Sequence, residues 1–252
     1  MALKLGSSTV GSLYLGSSKV SEMYLGSHKV YESVDPYNPL GLPDFTIRLR
    51  YEDGVTPTFS KGTGTQVSSS PNVWDLFCNT TNSRYHVYDW ANLLYGHTQL
   101  LEVLGANASR IGYVNRMFSG CTSLTTVALF DISVVGQGPV KELKQLFLNC
   151  TALTASPLFN TAGITSMEQM FASCTSLTSV PLLDTSSVTS MKNMFAGCKA
   201  VESGALALYT QASTQATPPT THSGAFDNCG IDTVTGAAEL AQIPTSWGGT
   251  MA

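Results

Sequence analysis

The sequence predicts an α/β repeat solenoid, a short strand plus a short helix in each unit of 24 residues, preceded by a small β-rich N-terminal anchoring region. Three observations predict it. Met117-Phe118-Ser119-Gly120-Cys121 returns as Leu146-Phe147-Leu148-Asn149-Cys150, Met170-Phe171-Ala172-Ser173-Cys174 and Met194-Phe195-Ala196-Gly197-Cys198, and the last three units start 24 residues apart. A period of that length means stacked supersecondary units that bury one continuous core between neighbours. Leu-Gly-Ser decamers open the chain, in Leu5–Val10, Leu15–Val20 and Leu25–Val30. Between the two repeats, Phe45–Tyr51 alternates apolar and polar residues, as a strand does.

Each element follows in chain order. The decamers place a Gly-Ser turn before a short alternating stretch, which reads as a tight β-meander. So small a meander makes little core of its own, so residues 1–34 are expected to anchor the chain by docking on another protein or subunit. Residues 35–43 carry three prolines, Pro36, Pro39 and Pro43, and read as a linker. Residues 44–92 form a β-rich cap or entry region: a strand, a Glu52-Asp53-Gly54 turn, a polar Gly-rich loop or edge hairpin over 58–70, and a return to apolar residues at Trp74, Leu76 and Phe77. Residues 93–204 are the solenoid. It starts at Leu93-Leu94-Tyr95-Gly96-His97, where His97 takes the cysteine position. In one unit, Leu177–Leu183 reads as a short strand bent at Pro181, and Val188, Met191, Met194 and Phe195 have helical spacing. Thr165-Ser166-Met167-Glu168 fits a capping box with Thr165 as N-cap. One unit is lengthened by an insertion over 132–139. Residues 205–252 form the C-terminal cap, with a helix in Gly204–Gln211 and a loop at Thr217–Thr221.

Composition bounds the chemistry. Charged residues are 12% of the 252, against about 25% in an ordinary domain, and the net charge is −4. No Lys/Arg cluster stands out, which argues against nucleic acid as a partner, since phosphates demand cations. No run of about 18 apolar residues is present, so no membrane insertion is expected. The first residues lack the apolar stretch of a signal peptide. The six cysteines, Cys78, Cys121, Cys150, Cys174, Cys198 and Cys229, mostly share one repeat position. They read as reduced, buried thiols that pack as small apolar groups. No Cys-x-x-Cys pair supplies a metal site.

Catalytic motifs are missing as well. Gly62-Thr63-Gly64 lacks a strand-to-helix setting, and neither a G-x-S-x-G nor an H-E-x-x-H occurs. His28, His86, His97 and His222 are scattered, and Glu102, Glu142, Glu168 and Glu202 read as solvated surface groups. The expectation is a chain with no catalytic residues, no metal and no cofactor.

Asp184-Thr185-Ser186-Ser187-Val188-Thr189-Ser190-Met191-Lys192-Asn193-Met194-Phe195-Ala196-Gly197-Cys198 resembles the BspA-like leucine-rich repeat, which repeats a DTSxVTxMxxMFxxC pattern followed by TSLTSVPL. The resemblance covers roughly Leu93 to Cys198 and implies a leucine-rich-repeat-like solenoid. The Asn160 unit departs from it, with Asn for Asp and an added Ala162-Gly163. The decamers, Ala205–Tyr209 and Ala237–Pro244 resemble virion proteins of phages infecting gut Bacteroidetes, including crAss-like phages. That resemblance implies a head or tail fibre or decoration protein: a non-enzymatic virion structural protein assembled in the host cytoplasm. It would be homo-oligomeric, dock on other virion proteins through residues 1–34, and present the solenoid to a host-surface glycan or protein. The alternative is a bacterial cell-surface BspA-like adhesin. Thr125, Thr154 and Thr178 recur at one place in successive units and are the candidate binding residues, as a polar ladder of hydroxyls suited to a neutral glycan.

Overall fold

In the computed structural model the alternating segment becomes the middle of a sheet. The structure describes residues 42, 45–79, 89–106, 111–128, 141–157 and 160–251, and the backbone alone of 13–15, 18–20, 22–25, 28–32, 81–82 and 87–88. The insertion at 132–139, and all of the linker but Leu42, lie outside the described residues.

The decamers form two separate hairpins. β1 (Leu13–Leu15) pairs with β2 (Ser18–Val20), and β3 (Glu22–Leu25) pairs with β4 (His28–Glu32), both antiparallel. Among the described residues the two hairpins share no ladder, so the tight meander expected of the decamers takes the form of two ribbons there.

β5 (Thr46–Tyr51) buries Ile47, Leu49 and Tyr51 on one face. Its other face carries arginines paired across the strands: Arg48 grips Asp75 through two 2.7 Å hydrogen bonds, and Arg50 meets Glu102 at 3.1 Å. β6 (Thr63–Ser69) and β7 (Asn72–Phe77) form the edge hairpin. β8 (Thr81–Asn82), β9 (Val87–Asp89) and β11 (Ile111–Tyr113) make a small three-stranded sheet. β10 (Leu100–Ala106) and β12 (Thr126–Val127) complete the larger one, whose order is β12-β10-β5-β7-β6. Only the β10–β12 pair is parallel, so the sheet is open and mixed.

This overturns the predicted α/β repeat solenoid. Among the described residues the main element is an open mixed five-stranded sheet, accompanied by two short α-helices, α1 (Ala205–Thr214) and α2 (Val234–Leu240). No helix occupies Val188–Phe195, and Thr165 caps nothing; these residues lie in turns and single bridges. The strand predicted at Leu177–Leu183 shrinks to one bridge between Ser179 and Ser203. Proline gives the reason. Where β12 continues into Ala128, whose amide reaches Val103 O at 2.8 Å, the later units carry Pro157 and Pro181. A proline has no amide to donate, so the ladder stops there.

The missing helices have an equally local cause. Two residues in each repeated turn adopt the left-handed conformation, four positions apart: Asn92 and Gly96, Arg116 and Gly120, Gln145 and Asn149, Gln169 and Ser173, Asn193 and Gly197. A left-handed residue ends any right-handed helix. The amides then alternate between two kinds of partner. Met170, Ala172 and Cys174 donate three residues back, to Met167, Gln169 and Phe171. Gln169, Phe171 and Ser173 donate instead to Lys192, Met194 and Ala196 of the next unit, at 2.9, 2.9 and 2.7 Å. The result is a coil of consecutive turns bonded unit to unit, and its amphipathic spacing imitates a helix.

The apolar side chains meet inside that coil. Phe118, Phe147, Phe171, Phe195 and Phe226 stack nearly parallel, with successive centroids 5.3, 5.4, 5.3 and 6.0 Å apart. Beside them Cys121, Cys150, Cys174 and Cys198 are buried and free, and each thiol donates to a carbonyl of the preceding unit, those of Leu94, Phe118, Phe147 and Phe171, at 3.0–3.1 Å. Burial pushes the Cys121 and Cys198 thiols up to about 12 and moves Cys150, Cys174 and Cys229 in the same direction. One continuous core runs from Ile47 in the sheet to Trp247. There α1 and α2 close the far end, α2 capped at its N-terminus by Thr233, whose hydroxyl accepts from the Gly236 amide at 3.0 Å.

Candidate binding face

The threonines singled out in the sequence lie on the strand-side edge of successive units. Thr154 and Thr178 are exposed and Thr125 is half-buried. Their hydroxyls are not all turned to solvent. Thr125 Oγ1 donates to Leu101 O at 3.0 Å and Thr178 Oγ1 to Thr154 O at 3.2 Å, beside the amide bonds Thr125 N to Leu101 O and Thr178 N to Thr154 O. The same stitch recurs elsewhere: Thr165 to Lys141, Thr189 to Thr165, and Thr175 to Thr151. In these positions threonine supplies a second hydrogen bond between units. Its hydroxyl keeps two acceptor lone pairs for a ligand, while its proton is already used.

A second row, unmarked by any motif, is richer in free polar groups. The residues just before the core Met or Leu of each unit form a groove of about 260 Å³, lined by Asn115, Arg116, Lys144, Gln145, Glu168 and Gln169. Amide bonds from Arg116 to Lys144 O and from Gln145 to Glu168 O, at 3.0 and 2.9 Å, fix the spacing of these side chains. Gln145 Nε2 donates to Gln169 Oε1 at 2.6 Å. Asn115 donates to Glu142 at 3.2 Å and accepts from the Lys144 amide at 3.0 Å, while Lys144 Nζ sits 2.8 Å from Glu142. The Arg116 guanidinium lies 4.8 Å over the ring of Tyr95, itself 52% exposed. Position in the repeat was the signal that would have found this row: each member precedes a buried Met or Leu.

At the junction of sheet and turns, His97 Nδ1 lies 2.6 Å from the Tyr51 hydroxyl, and its ring stacks on Phe59. Burial holds His97 below the ordinary histidine value and Tyr51 above the ordinary tyrosine value. Both are thus neutral, and we assign the hydroxyl as donor. A small cavity of about 180 Å³ adjoins them, lined partly by Val55–Thr58. The other residues considered from sequence stand apart. His222 stacks on Trp247, Glu102 pairs with Arg50, Glu142 pairs with Lys144, and Glu202 is exposed. Among the described residues, no three His, Cys, Asp or Glu side chains converge on a metal-sized site, and no helix is long and apolar enough to cross a membrane.

No curated protein and no solved structure matches the chain. Residues 140–217, which hold part of this groove and the last full repeats, match the family described as "Mycoplasma protein of unknown function, DUF285", a match compatible with a BspA-like protein.

Proposed function

We propose that this chain is a non-enzymatic attachment protein of a bacteriophage virion, a head or tail fibre or decoration protein. It docks on other virion proteins through residues 1–34, as a homo-oligomer, and presents its stacked turns to a host-surface glycan or protein. It is assembled in the host cytoplasm. One observation carries the attachment part: backbone hydrogen bonds from unit to unit hold rows of polar, mostly uncharged side chains at fixed spacing on a rigid core. Such a row costs little entropy to bind, because the groups are already placed. The virion part rests on the decamers and the C-terminal segments of the sequence. The two-ribbon form of β1–β4 fits docking, since an isolated hairpin is at best marginally stable in water.

A second reading, a bacterial cell-surface adhesin, draws on the DUF285 match over 140–217. One experiment separates them. A labelled full chain and a chain lacking residues 1–34 are tested for incorporation into phage particles and for binding to host cells. The virion reading expects the shortened chain to stay folded and to be lost from particles. Normal incorporation of the shortened chain refutes the docking role, and failure of the full chain to enter particles while it still binds cells favours the adhesin.

A further inference from the structure

We propose that the groove formed by Asn115, Arg116, Lys144, Gln145, Glu168 and Gln169 binds a carboxylated oligosaccharide, with one sugar carboxylate on Arg116 and sugar hydroxyls on the glutamine amides. The inference deepens the attachment reading and rests on it for biological meaning only.

The chemistry of the groove selects this ligand class. The bond between Gln145 Nε2 and Gln169 Oε1 leaves Gln145 Oε1 and Gln169 Nε2 without hydrogen-bond partners among the described residues. One is an acceptor and the other a donor, held side by side by the units beneath them. A sugar hydroxyl donates and accepts at once, so vicinal hydroxyls satisfy such a pair. Both glutamines are half-buried, which limits their freedom before binding.

The charges are equally uneven. Glu142 is already matched by Lys144 and Asn115. Arg116 has no ion pair among the described residues, and the Tyr95 ring beneath it orients the guanidinium plane. An oriented guanidinium presents a fork of N–H donors that fits a carboxylate. A neutral sugar would leave that fork unused. A polyphosphate or nucleic acid would need several cations, and this groove also contains Glu168. The balance is one anionic group on a hydroxyl-rich chain. The groove spans three successive units, which suits an extended oligomer.

The test uses the full chain and two probes, a galacturonate tetrasaccharide and the uncharged galactose tetrasaccharide, titrated by calorimetry. The galacturonate should bind, and galactose should bind about tenfold or more weakly, since the carboxylate contact is lost. Arg116→Gln should remove the preference for the acid, and Arg116→Lys should restore only part of it. Gln145→Ala combined with Gln169→Ala should weaken both probes. The inference is overturned if the two sugars bind alike, if neither binds at millimolar concentration, or if Arg116→Gln changes nothing. Host-cell binding is measured in parallel. Cell binding that persists in a chain with no affinity for galacturonate sinks the groove and leaves the attachment reading standing. Galacturonate binding without any cell binding does the reverse.

Discussion

The Tyr51 hydroxyl sits 2.6 Å from His97 Nδ1, and this one contact ties the last residue of β5 to the first repeated turn. His97 holds the position that cysteine takes in later units. Those thiols reach back to a preceding unit; His97, with no earlier turn to reach, meets the sheet instead. Substituting the cysteine would leave Tyr51, buried at 1% exposure, without its ring-nitrogen partner.

Acid should loosen this junction first. The His97 pKa is lowered in the fold by burial, so the unfolded chain takes up its proton near 6.5 while the folded chain resists. Its contribution is constant above that value and is lost as pH falls toward the depressed folded value. Denaturant titrations between about pH 5 and 7 should show stability falling with acid in the native chain, and a flatter profile in His97→Gln. Identical slopes would mean that His97 titrates normally.

The thiols set the opposite limit. Five repeat cysteines have folded values raised by burial, so they stabilise the fold below the ordinary thiol value of 9.0 and cease to do so as pH rises past it. Each should cost about 1.4 kcal/mol per pH unit above that point. Alkylation should leave all five untouched in the native chain and modify all five after denaturation without reductant. Any pair that resists after denaturation is a disulfide, contrary to their free state.

Phe171 lies between Phe147 and Phe195, with ring centroids 5.4 and 5.3 Å away. Phe171→Ala should destabilise by about 3–5 kcal/mol, measured by chemical denaturation, because neighbours bonded along the backbone cannot close the gap. A loss under about 1 kcal/mol would show that the units slide together.

Ser173 adopts φ 60°. Ser173→Val should cost about 1–2 kcal/mol, since a β-branched residue is strained there, whereas Ser173→Gly should be close to neutral. Equal melting temperatures for the two variants would refute the left-handed turn.

Replacing Thr125, Thr154 and Thr178 together by Lys tests the strand-side edge. Two of the hydroxyls join units, so the triple variant should lose roughly 1–2 kcal/mol. Thr178→Val alone should lose about half a kcal/mol or more. If this edge also meets the host, cell binding should fall further in the triple variant than its stability predicts; unchanged binding directs attention to the Arg116 groove.

Which side chains face inward was legible in the sequence. Met170, Phe171, Cys174, Met191, Met194, Phe195 and Cys198 are all buried, as their recurrence demands, and β5 and α1 stand close to where local pattern put them. A hint of the backbone was also legible: Gly96, Gly120, Asn149, Gly197 and Asn228 each stand just before the cysteine or its substitute, and Gly and Asn tolerate positive φ. Where the amides bond was settled by contacts between distant parts of the chain. Apolar residues at positions three and four apart suit a helix or a coil of turns equally, and the choice depends on carbonyls of a neighbouring unit, 23 residues away for Gln169, Phe171 and Ser173. Strands obeyed the same rule, forming where a partner strand and an amide were both present and stopping at Pro157 and Pro181. The Arg116–Gln145–Gln169 row belongs to this second class. No short stretch of chain contains it, because stacking assembles it from three separate units.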